Sequence, residues 1–347
     1  MNEVSNSSGV DVIVPCYRYA HFLRECVESV LTNSSSKVKV RVLIIDDASP
    51  DNTAEVAEAL VQKDSRITFV RHAVNRGHIA TYNEGIEWIA AKYMLLLSAD
   101  DYLLPGALAR SIALMDTHSE VGFTFGKAVI SGDSGITGQP DSSISNGKEV
   151  EPRILSGVEF IKRTQQSGSV NIVPTPTAVV RTELQKRLGG YRADLPHTGD
   201  MEMWLRLAAH GSVGVFESCQ AVWRRHGANM QLQYYNSQRQ LPDLEQRKAA
   251  IDCFYKTCKS VLSNPEQLHR DLLRPLADEG VALAGSAFNA GELEVSKQLS
   301  DFGAEIDPEV TKSFRWVVLA CKRGLGFRAW RTLQPVVACL RKRQNSL

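Results

Sequence analysis

The sequence lacks the features that would assign it to several common classes of protein. Its 347 residues include seven cysteines, an odd number with no C-x-x-C pair, so we expect reduced thiols of a cytosolic protein rather than a disulfide framework. The formal net charge is only +1, which argues against a broad nucleic-acid footprint, and we expect no nucleic-acid partner. No apolar run has the length of a transmembrane helix. The polar first nine residues have no apolar core, so no signal peptide is expected.

A glycine-rich nucleotide loop is also missing. The turn after the first predicted strand is Pro15-Cys16-Tyr17-Arg18 rather than G-x-G-x-x-G, which argues against an enzyme that binds NAD or FAD. The length and the 43% hydrophobic content suit one large α/β domain with an appendage, or two domains.

Short apolar runs alternate with helical stripes along the first hundred residues. Such alternation predicts a doubly wound, mostly parallel sheet of the α/β class. Ser49 and Pro50 are predicted to start the second helix, as its N-cap and first residue. The predicted strands are 10–14, 38–45, 67–70, 93–97, 121–130 and 213–225, and the later helices are 105–115, 157–165, 182–188 and 200–210.

The chain divides into three predicted parts. Residues 1–9 form a flexible N-terminus, residues 10–232 form the α/β domain, and residues 233–347 form a C-terminal helical region. Within the α/β domain, residues 131–148 are rich in Gly, Ser, Asp and Asn, and we expect a long loop there.

Paired carboxylates follow two of the predicted strands. Asp46-Asp47 ends the second strand, and Asp100-Asp101 ends the fourth. The carboxyl ends of parallel strands share one edge of a sheet, where open α/β folds bind ligands. Oxygen ligands at that edge suit Mg²⁺ or Mn²⁺ carried on substrate phosphates. The alternatives are an Asx turn for the first pair and a solvated turn with a helix N-cap for the second.

Several motifs in order resemble the family 2 glycosyltransferases, over roughly residues 8–228. They are Val12-Ile13-Val14-Pro15-Cys16-Tyr17, the run from Leu43 to Thr53, Asn75-Arg76-Gly77, and Leu97-Ser98-Ala99-Asp100-Asp101. The resemblance implies a GT-A fold, a nucleotide-sugar donor such as a UDP- or dTDP-sugar, a divalent cation (Mn²⁺ or Mg²⁺), and transfer with inversion. It further implies a glycan, lipid-linked or other hydroxyl acceptor, in cell-surface polysaccharide or lipopolysaccharide-type biosynthesis at the cytoplasmic side.

The resemblance also implies roles for individual residues on the donor side. Asp47 matches the residue that reads the nucleotide base, Asp100 the ribose contact, and Asp101 the metal ligand. Ser98 replaces the first aspartate of a strict D-x-D motif, which leaves one metal ligand here rather than two. Further donor contacts are expected from Pro15, Tyr17, Arg76 and Arg225, where a plain packing role is the alternative for Tyr17.

A second cluster resembles the catalytic-base segment of the family. Asp200 matches the base, although Gly199 stands where the usual acidic pair has its first member. The alternative is that Asp200 caps the helix that follows it, with Glu202 as a second candidate base. Farther on, His226 is expected to complete the metal shell, or to contact the diphosphate along with Arg224 or Arg225, and a structural histidine is the alternative.

The C-terminal stretch from Phe314 to Arg343 mixes apolar and basic residues and contains no acid. Such a segment is typical of helices that bind anionic membrane surfaces, so we expect peripheral contact with the cytoplasmic membrane face. Ordinary helices packed on the catalytic domain are the alternative.

Two other functions are compatible with the same sheet. One is a nucleotidyltransferase, although the Gly-rich first loop with Arg or Lys that we expect there is missing. The other is a protein that binds nucleotide sugars without turning them over.

Overall fold

The computed structural model describes residues 8–132, 135–137, 144–145, 148–149, 151–229 and 240–333. Much of the predicted loop 131–148 lies outside these ranges, as do residues 1–7 of the predicted N-terminal segment. The strands are β1 (Ser8–Cys16), β2 (Val38–Asp46), β3 (Ile67–Arg71), β4 (Tyr93–Leu96), β5 (Tyr102–Leu103), β6 (Val121–Gly132), β7 (Gly135–Thr137), β8 (Ile144–Ser145), β9 (Lys148–Glu149), β10 (Arg153–Leu155), β11 (Val179–Arg181) and β12 (Ser212–Arg224).

The predicted doubly wound, mostly parallel sheet is confirmed. Its order is β10-β12-β6-β11-β4-β1-β2-β3, with β5 beside β12 and β7 beside β6, while β8 and β9 pair separately. Strand β1 runs parallel to both β2 and β4, and β3 continues parallel to β2. Strand β11 lies antiparallel between β4 and β6. The sequence pattern missed β5, β10 and β11 because strands of two or three residues are too short for a hydrophobic period to emerge.

Eleven helices of the described chain connect or cover these strands. They are α1 (Ala20–Thr32), α2 (Thr53–Lys63), α3 (His78–Trp88), α4 (Ala107–Thr117), α5 (Gly157–Gln166), α6 (Thr182–Leu188), α7 (Gly199–Ala208), α8 (Gln240–Cys258), α9 (Pro265–Ala290), α10 (Leu293–Ile306) and α11 (Phe314–Leu325). Among these α-helices, none is long and apolar enough to cross a bilayer.

The predicted start of α2 at Ser49 is wrong by about one turn. The helix begins at Thr53 after Asn52. Ser49 is held instead in the turn that ends β2, because its amide donates to Asp46 at 2.8 Å and its hydroxyl accepts from the amide of Arg18 at 3.0 Å.

The sheet is covered on both faces, and its inner residues alternate between two cores. Val12 and Ile44 pack against α1, α2 and α4 on one face. Ile13 and Ile45 face the other side, where α3, α5 and α7 pack. That second core continues into α8, α9 and α10, so the C-terminal helices share their interior with the sheet. The predicted boundary at residues 232–233 falls among residues that the structure does not describe.

Candidate active site

Asp47 fixes the loop between β3 and α3. Its buried Oδ1 accepts from the amide of Arg76 at 2.7 Å and lies 2.7 Å from Nδ1 of His72, and its Oδ2 accepts from the amide of Gly77 at 2.9 Å. Gly77 has a φ of 82°, a left-handed conformation that glycine adopts without strain. The Arg76 guanidinium turns to Glu84 at 2.5 Å and is not among the side chains that line the cavity described below. The Asn-Arg-Gly motif therefore has a structural cause, a tight turn held by a carboxylate.

The segment after β1 places the aromatic ring of Tyr17 and the guanidinium of Arg18 at the same edge of the sheet as Asp47. Tyr17 is 38% exposed, so part of its side chain is accessible to a ligand. The Arg18 guanidinium lies 5.2 Å from the centre of that ring. Pro15, Tyr17 and Arg18 all border the cavity.

The carboxylates after β4 are buried beside the segment that follows β12. Asp100 Oδ2 lies 3.1 Å from Nε2 of His226 and accepts from Nδ2 of Asn229 at 3.2 Å. Asp101 Oδ1 accepts from the amide of Arg224 at 2.9 Å, and the Arg224 guanidinium donates to the Asp100 carbonyl at 2.8 Å. Burial and the neighbouring carboxylate of Asp100 raise the pKa of Asp101 well above its usual range.

This carboxylate pair fits a cation that arrives with a phosphate-bearing ligand. Asp100 Oδ1 is buried without a hydrogen-bond partner, a cost that a bound cation would remove. Within the described ranges, no three His, Cys, Asp or Glu side chains are grouped to hold a metal on their own. Mg²⁺ and Mn²⁺ sites often use one or two carboxylates and take their other ligands from phosphates and water. His226 contacts Asp100 directly, so these two side chains are neighbours at the predicted metal site.

Arg225 does not face the carboxylates. Its side chain is exposed, and its guanidinium lies 5.0 Å from the centre of the Trp223 ring. Arg224, its neighbour, is the arginine that contacts the carboxylate pair.

Asp200 lies in the first turn of α7, where the helix dipole favours a negative charge. Its Oδ2 accepts from Nδ2 of Asn171 at 2.6 Å and from the hydroxyl of Thr175 at 3.4 Å, and its Oδ1 accepts from the amide of Met201 at 2.7 Å. The helix N-cap is Thr198, so Asp200 does not occupy the capping position. Burial inside the cavity raises the pKa of Asp200, which suits a group that must accept a proton near neutral pH.

Glu202 is held away from the cavity. It is fully buried and forms an ion pair with Arg206 at 2.9 Å. Such a carboxylate cannot reach a ligand without breaking a buried pair.

One cavity of about 1000 Å³ joins most of these groups. It opens at the carboxyl edge of β1, β2 and β4 and extends to the start of α7. The predicted site residues that line it are Pro15, Tyr17, Asp47, Asp100, Asp101 and Asp200.

Several residues at this site carried no recognisable motif. Asn171 and Thr175 contact Asp200, and Asn229 contacts Asp100. His78 lies at the wall with its Nε2 2.9 Å from the Pro196 carbonyl, and burial lowers its pKa. The only available signal was the proline-rich run that contains Thr175, which hinted at an extended loop without naming its contacts.

Comparison with known proteins places the chain in a family. The model of glycosyl transferase family 2 matches residues 11–188, which is just over half of the chain. Poly-beta-1,6-N-acetyl-D-glucosamine synthase of Staphylococcus epidermidis is 26% identical over 195 residues, which cover 56% of this chain and 44% of that protein. In three other curated relatives, the region that matches this chain spans 67%, 26% and 65% of the relative's full length.

Solved structures share the architecture at low sequence identity. Residues 1–349 of TarS from S. aureus, in complex with UDP-GlcNAc, match with a TM-score of 0.55 and 15% identity, over 88% of this chain and 91% of that one. A mannosyltransferase from Pyrobaculum calidifontis, in complex with GDP-Man and Mn²⁺, matches with a TM-score of 0.50 and 18% identity, over 95% of this chain and 84% of that one. These likenesses support the predicted GT-A architecture with a helical C-terminal region.

Proposed function

Because the chain belongs to glycosyl transferase family 2, we propose that it transfers a sugar from a nucleotide-diphosphate sugar to a hydroxyl acceptor with inversion at the anomeric carbon. One observation carries the proposal. A single cavity has Asp47, Asp100 and Asp101 at the sheet edge and Asp200 at the start of α7. Donor recognition and proton removal thereby share one cavity.

The donor occupies the sheet edge in this proposal. Asp47 accepts from the base, Tyr17 stacks on it beside Pro15, and Asp100 contacts the ribose. The nucleotide is uridine or thymidine diphosphate, in keeping with the UDP-GlcNAc bound by TarS. Arg76 and Arg225 lie outside the cavity wall, so a contact of either with the diphosphate requires its side chain to leave its present partner.

Asp101 and His226 are the proposed holders of Mn²⁺ or Mg²⁺, with Asp100 beside them. When bound, the cation neutralises charge that develops on the leaving diphosphate. The Mn²⁺ in the mannosyltransferase complex supports this choice of cofactor.

Asp200 is the proposed catalytic base. An acceptor hydroxyl held against its carboxylate loses a proton to it while the oxygen attacks the anomeric carbon from the side opposite the leaving group, which inverts the configuration. Asn171 and Thr175 hold one carboxylate oxygen and so orient the group.

Asp200→Asn tests the assignment. We expect transfer to fall about 100-fold to 10,000-fold, the range for loss of a general base, while melting-temperature shifts with UDP, dTDP or GDP and Mn²⁺ stay as in wild type. Asp101→Asn should instead remove the Mn²⁺-dependent part of the shift. Asp194→Asn, an exposed change in the loop before α7, is the matched control. Equal loss of nucleotide binding in Asp200→Asn would contradict the base assignment.

The rival functions differ in their products. A nucleotidyltransferase releases pyrophosphate and joins a nucleotide to its substrate, and a binding protein releases nothing. Chromatography of the products from a panel of UDP-, dTDP- and GDP-sugars separates the three.

We further propose that the acceptor is a glycan or lipid-linked glycan of a surface polysaccharide or lipopolysaccharide, with transfer at the cytoplasmic membrane face. The outer side of α11 supports membrane contact. Phe314 is 79% exposed, Val317 50% and Leu325 52%, and the three lie along one helical face. Arg315 and Arg328 are exposed nearby without an acidic partner among the described residues. Apolar side chains flanked by cations suit an anionic lipid surface.

Liposome co-sedimentation tests this contact. We expect binding to vesicles that contain phosphatidylserine, and weak binding by Phe314→Ser/Val317→Ser. Burying these two side chains contributes roughly 1.5–3 kcal/mol each. Val261→Ser, another exposed valine, is the control. Equal recovery of all three proteins in the supernatant would end the membrane proposal.

A further inference from the structure

The cavity has a second end, built by the C-terminal helices. Asp243 and Arg247 from α8, and Glu279 from α9, line its wall together with His197 from the loop before α7. None of these residues belongs to the part of the chain that the family model matches.

These four side chains are joined in one series of short polar contacts. His197 Nε2 lies 2.8 Å from Asp243 Oδ1, and Arg247 pairs with Asp243 at 2.9 Å and with Glu279 at 2.8 Å. Arg247 is only 4% exposed, so its guanidinium is fixed between the two helices. Despite burial, which alone would raise it, the contacts with His197 and Arg247 hold the pKa of Asp243 below its usual range.

Asp200 lies next to this series of contacts. Thr198, two residues before Asp200, donates its hydroxyl to the Gln246 carbonyl of α8 at 2.9 Å. Arg247 donates to the Gly168 carbonyl at 3.3 Å, and Asn171 of the same segment donates to Asp200. A ligand against Asp243 and Glu279 would therefore adjoin the proposed base.

The charges at this end decide what it can hold. Asp200, Asp243 and Glu279 set three carboxylates against the guanidinium of Arg247, with the His197 imidazole beside Asp243. The excess of negative charge disfavours a phosphate or a uronate in a partly desolvated cavity. Carboxylates accept hydrogen bonds from sugar hydroxyls, and guanidinium groups donate to sugar oxygens. Apolar residues of the same cavity wall, Val170, Ile172 and Pro174, suit the C–H face of a sugar ring.

We propose that the helical end of the cavity is the acceptor subsite and that it takes an uncharged saccharide. This inference rests on the proposed glycosyl transfer and names the chemical class of its acceptor.

The test measures saccharide binding to the full-length chain by saturation-transfer NMR, with UDP, dTDP or GDP and Mg²⁺ present. The probes are methyl glycosides of glucose, galactose and N-acetylglucosamine, each paired with its uronate or 6-phosphate. We expect binding of at least one neutral member and roughly ten-fold weaker binding of its anionic partner, the effect of one unfavourable charged contact. Glu279→Gln should weaken binding of the neutral saccharide and reduce the difference in binding between the neutral and anionic partners.

Asp278→Asn is the matched control, because Asp278 precedes Glu279 in α9 and does not line the cavity. Equal binding of neutral and anionic partners, or no saccharide binding while a nucleotide binds, would overturn the subsite. The subsite would also be overturned if Glu279→Gln lowered the melting temperature and left the preference for neutral over anionic saccharides unchanged. That result is expected if Glu279 only holds α8 and α9 together. Failure of every nucleotide to bind in the same samples would instead overturn the proposed function.

Discussion

Asp47→Asn is expected to cost stability as well as nucleotide affinity. The wild-type carboxylate takes hydrogen bonds from the amides of Arg76 and Gly77 and contacts the ring of His72, all while 4% exposed. An asparagine has one acceptor oxygen, so its amide group must face at least one of these donors. A residue that only read a nucleotide base would not carry such contacts in the absence of ligand.

The size of the effect follows from what the variant leaves unpaired. If the remaining oxygen keeps Arg76 and His72, the half-buried amide of Gly77 faces another donor and retains only its longer bond to Oδ1 of Asn75, at 3.1 Å. The loss of that bond to a charged group, together with weaker bonds from the other two donors, costs about 1–3 kcal/mol. We therefore expect the free energy of unfolding to fall by about 1–3 kcal/mol.

Urea denaturation followed by circular dichroism measures this loss, and titration with UDP and Mn²⁺ measures binding in parallel. The control is Asp194→Asn, which should stay within about 0.5 kcal/mol of wild type, as surface changes do. A variant at Asp47 as stable as wild type, with only nucleotide binding reduced, would refute this structural role of the carboxylate.

Three further expectations concern other parts of the molecule. Asp11→Asn should destabilise by about 1.5–3 kcal/mol, since buried Asp11 accepts from Nε and Nη2 of the half-exposed Arg41 at 2.8 and 2.7 Å. These contacts lower the pKa of Asp11 in the folded state despite burial, so the ionised carboxylate stabilises the fold fully at pH values above its pKa in the unfolded chain, near 4. The difference in free energy of unfolding between wild type and variant, measured by urea denaturation, should therefore shrink as the pH falls through the lower pKa of the folded state. Gly157→Ala should destabilise by roughly 1–3 kcal/mol, because an added Cβ would meet the Ala208 carbonyl at 1.7 Å; an unchanged thermal melt would contradict this packing. The acid limb of the pH–rate profile should lie above the usual aspartate range, because burial raises the pKa of Asp200 and only its ionised form accepts a proton; a limb at or below that range in initial-rate assays would refute it.

Much of the sheet could be predicted because its strands are long and buried on both faces. The apolar runs before Asp46 and Asp100 could hardly be anything but buried strands. Because those strands are parallel, the aspartates that follow them lie at the same edge of the sheet. The contacts of the side chains could not be predicted in the same way. Nothing in the motif around Asp47 indicates that its carboxylate holds a glycine turn, and nothing near Arg225 indicates that Arg224 is the one that meets the carboxylates.

The sequence predicted the donor edge of the cavity much better than its helical end. The family match covers residues 11–188, which supply the donor edge, and it ends before Asp200 and the helices that carry Asp243 and Glu279. Those helices were predicted as helices, but which of their faces meets the cavity depends on how α8 and α9 pack on α7. A helical period of 3.6 residues identifies a buried stripe and does not say whether a polar residue at its border faces water or a ligand. The acceptor chemistry therefore depends on tertiary contacts, and variants of Asp243, Arg247 and Glu279 can test it.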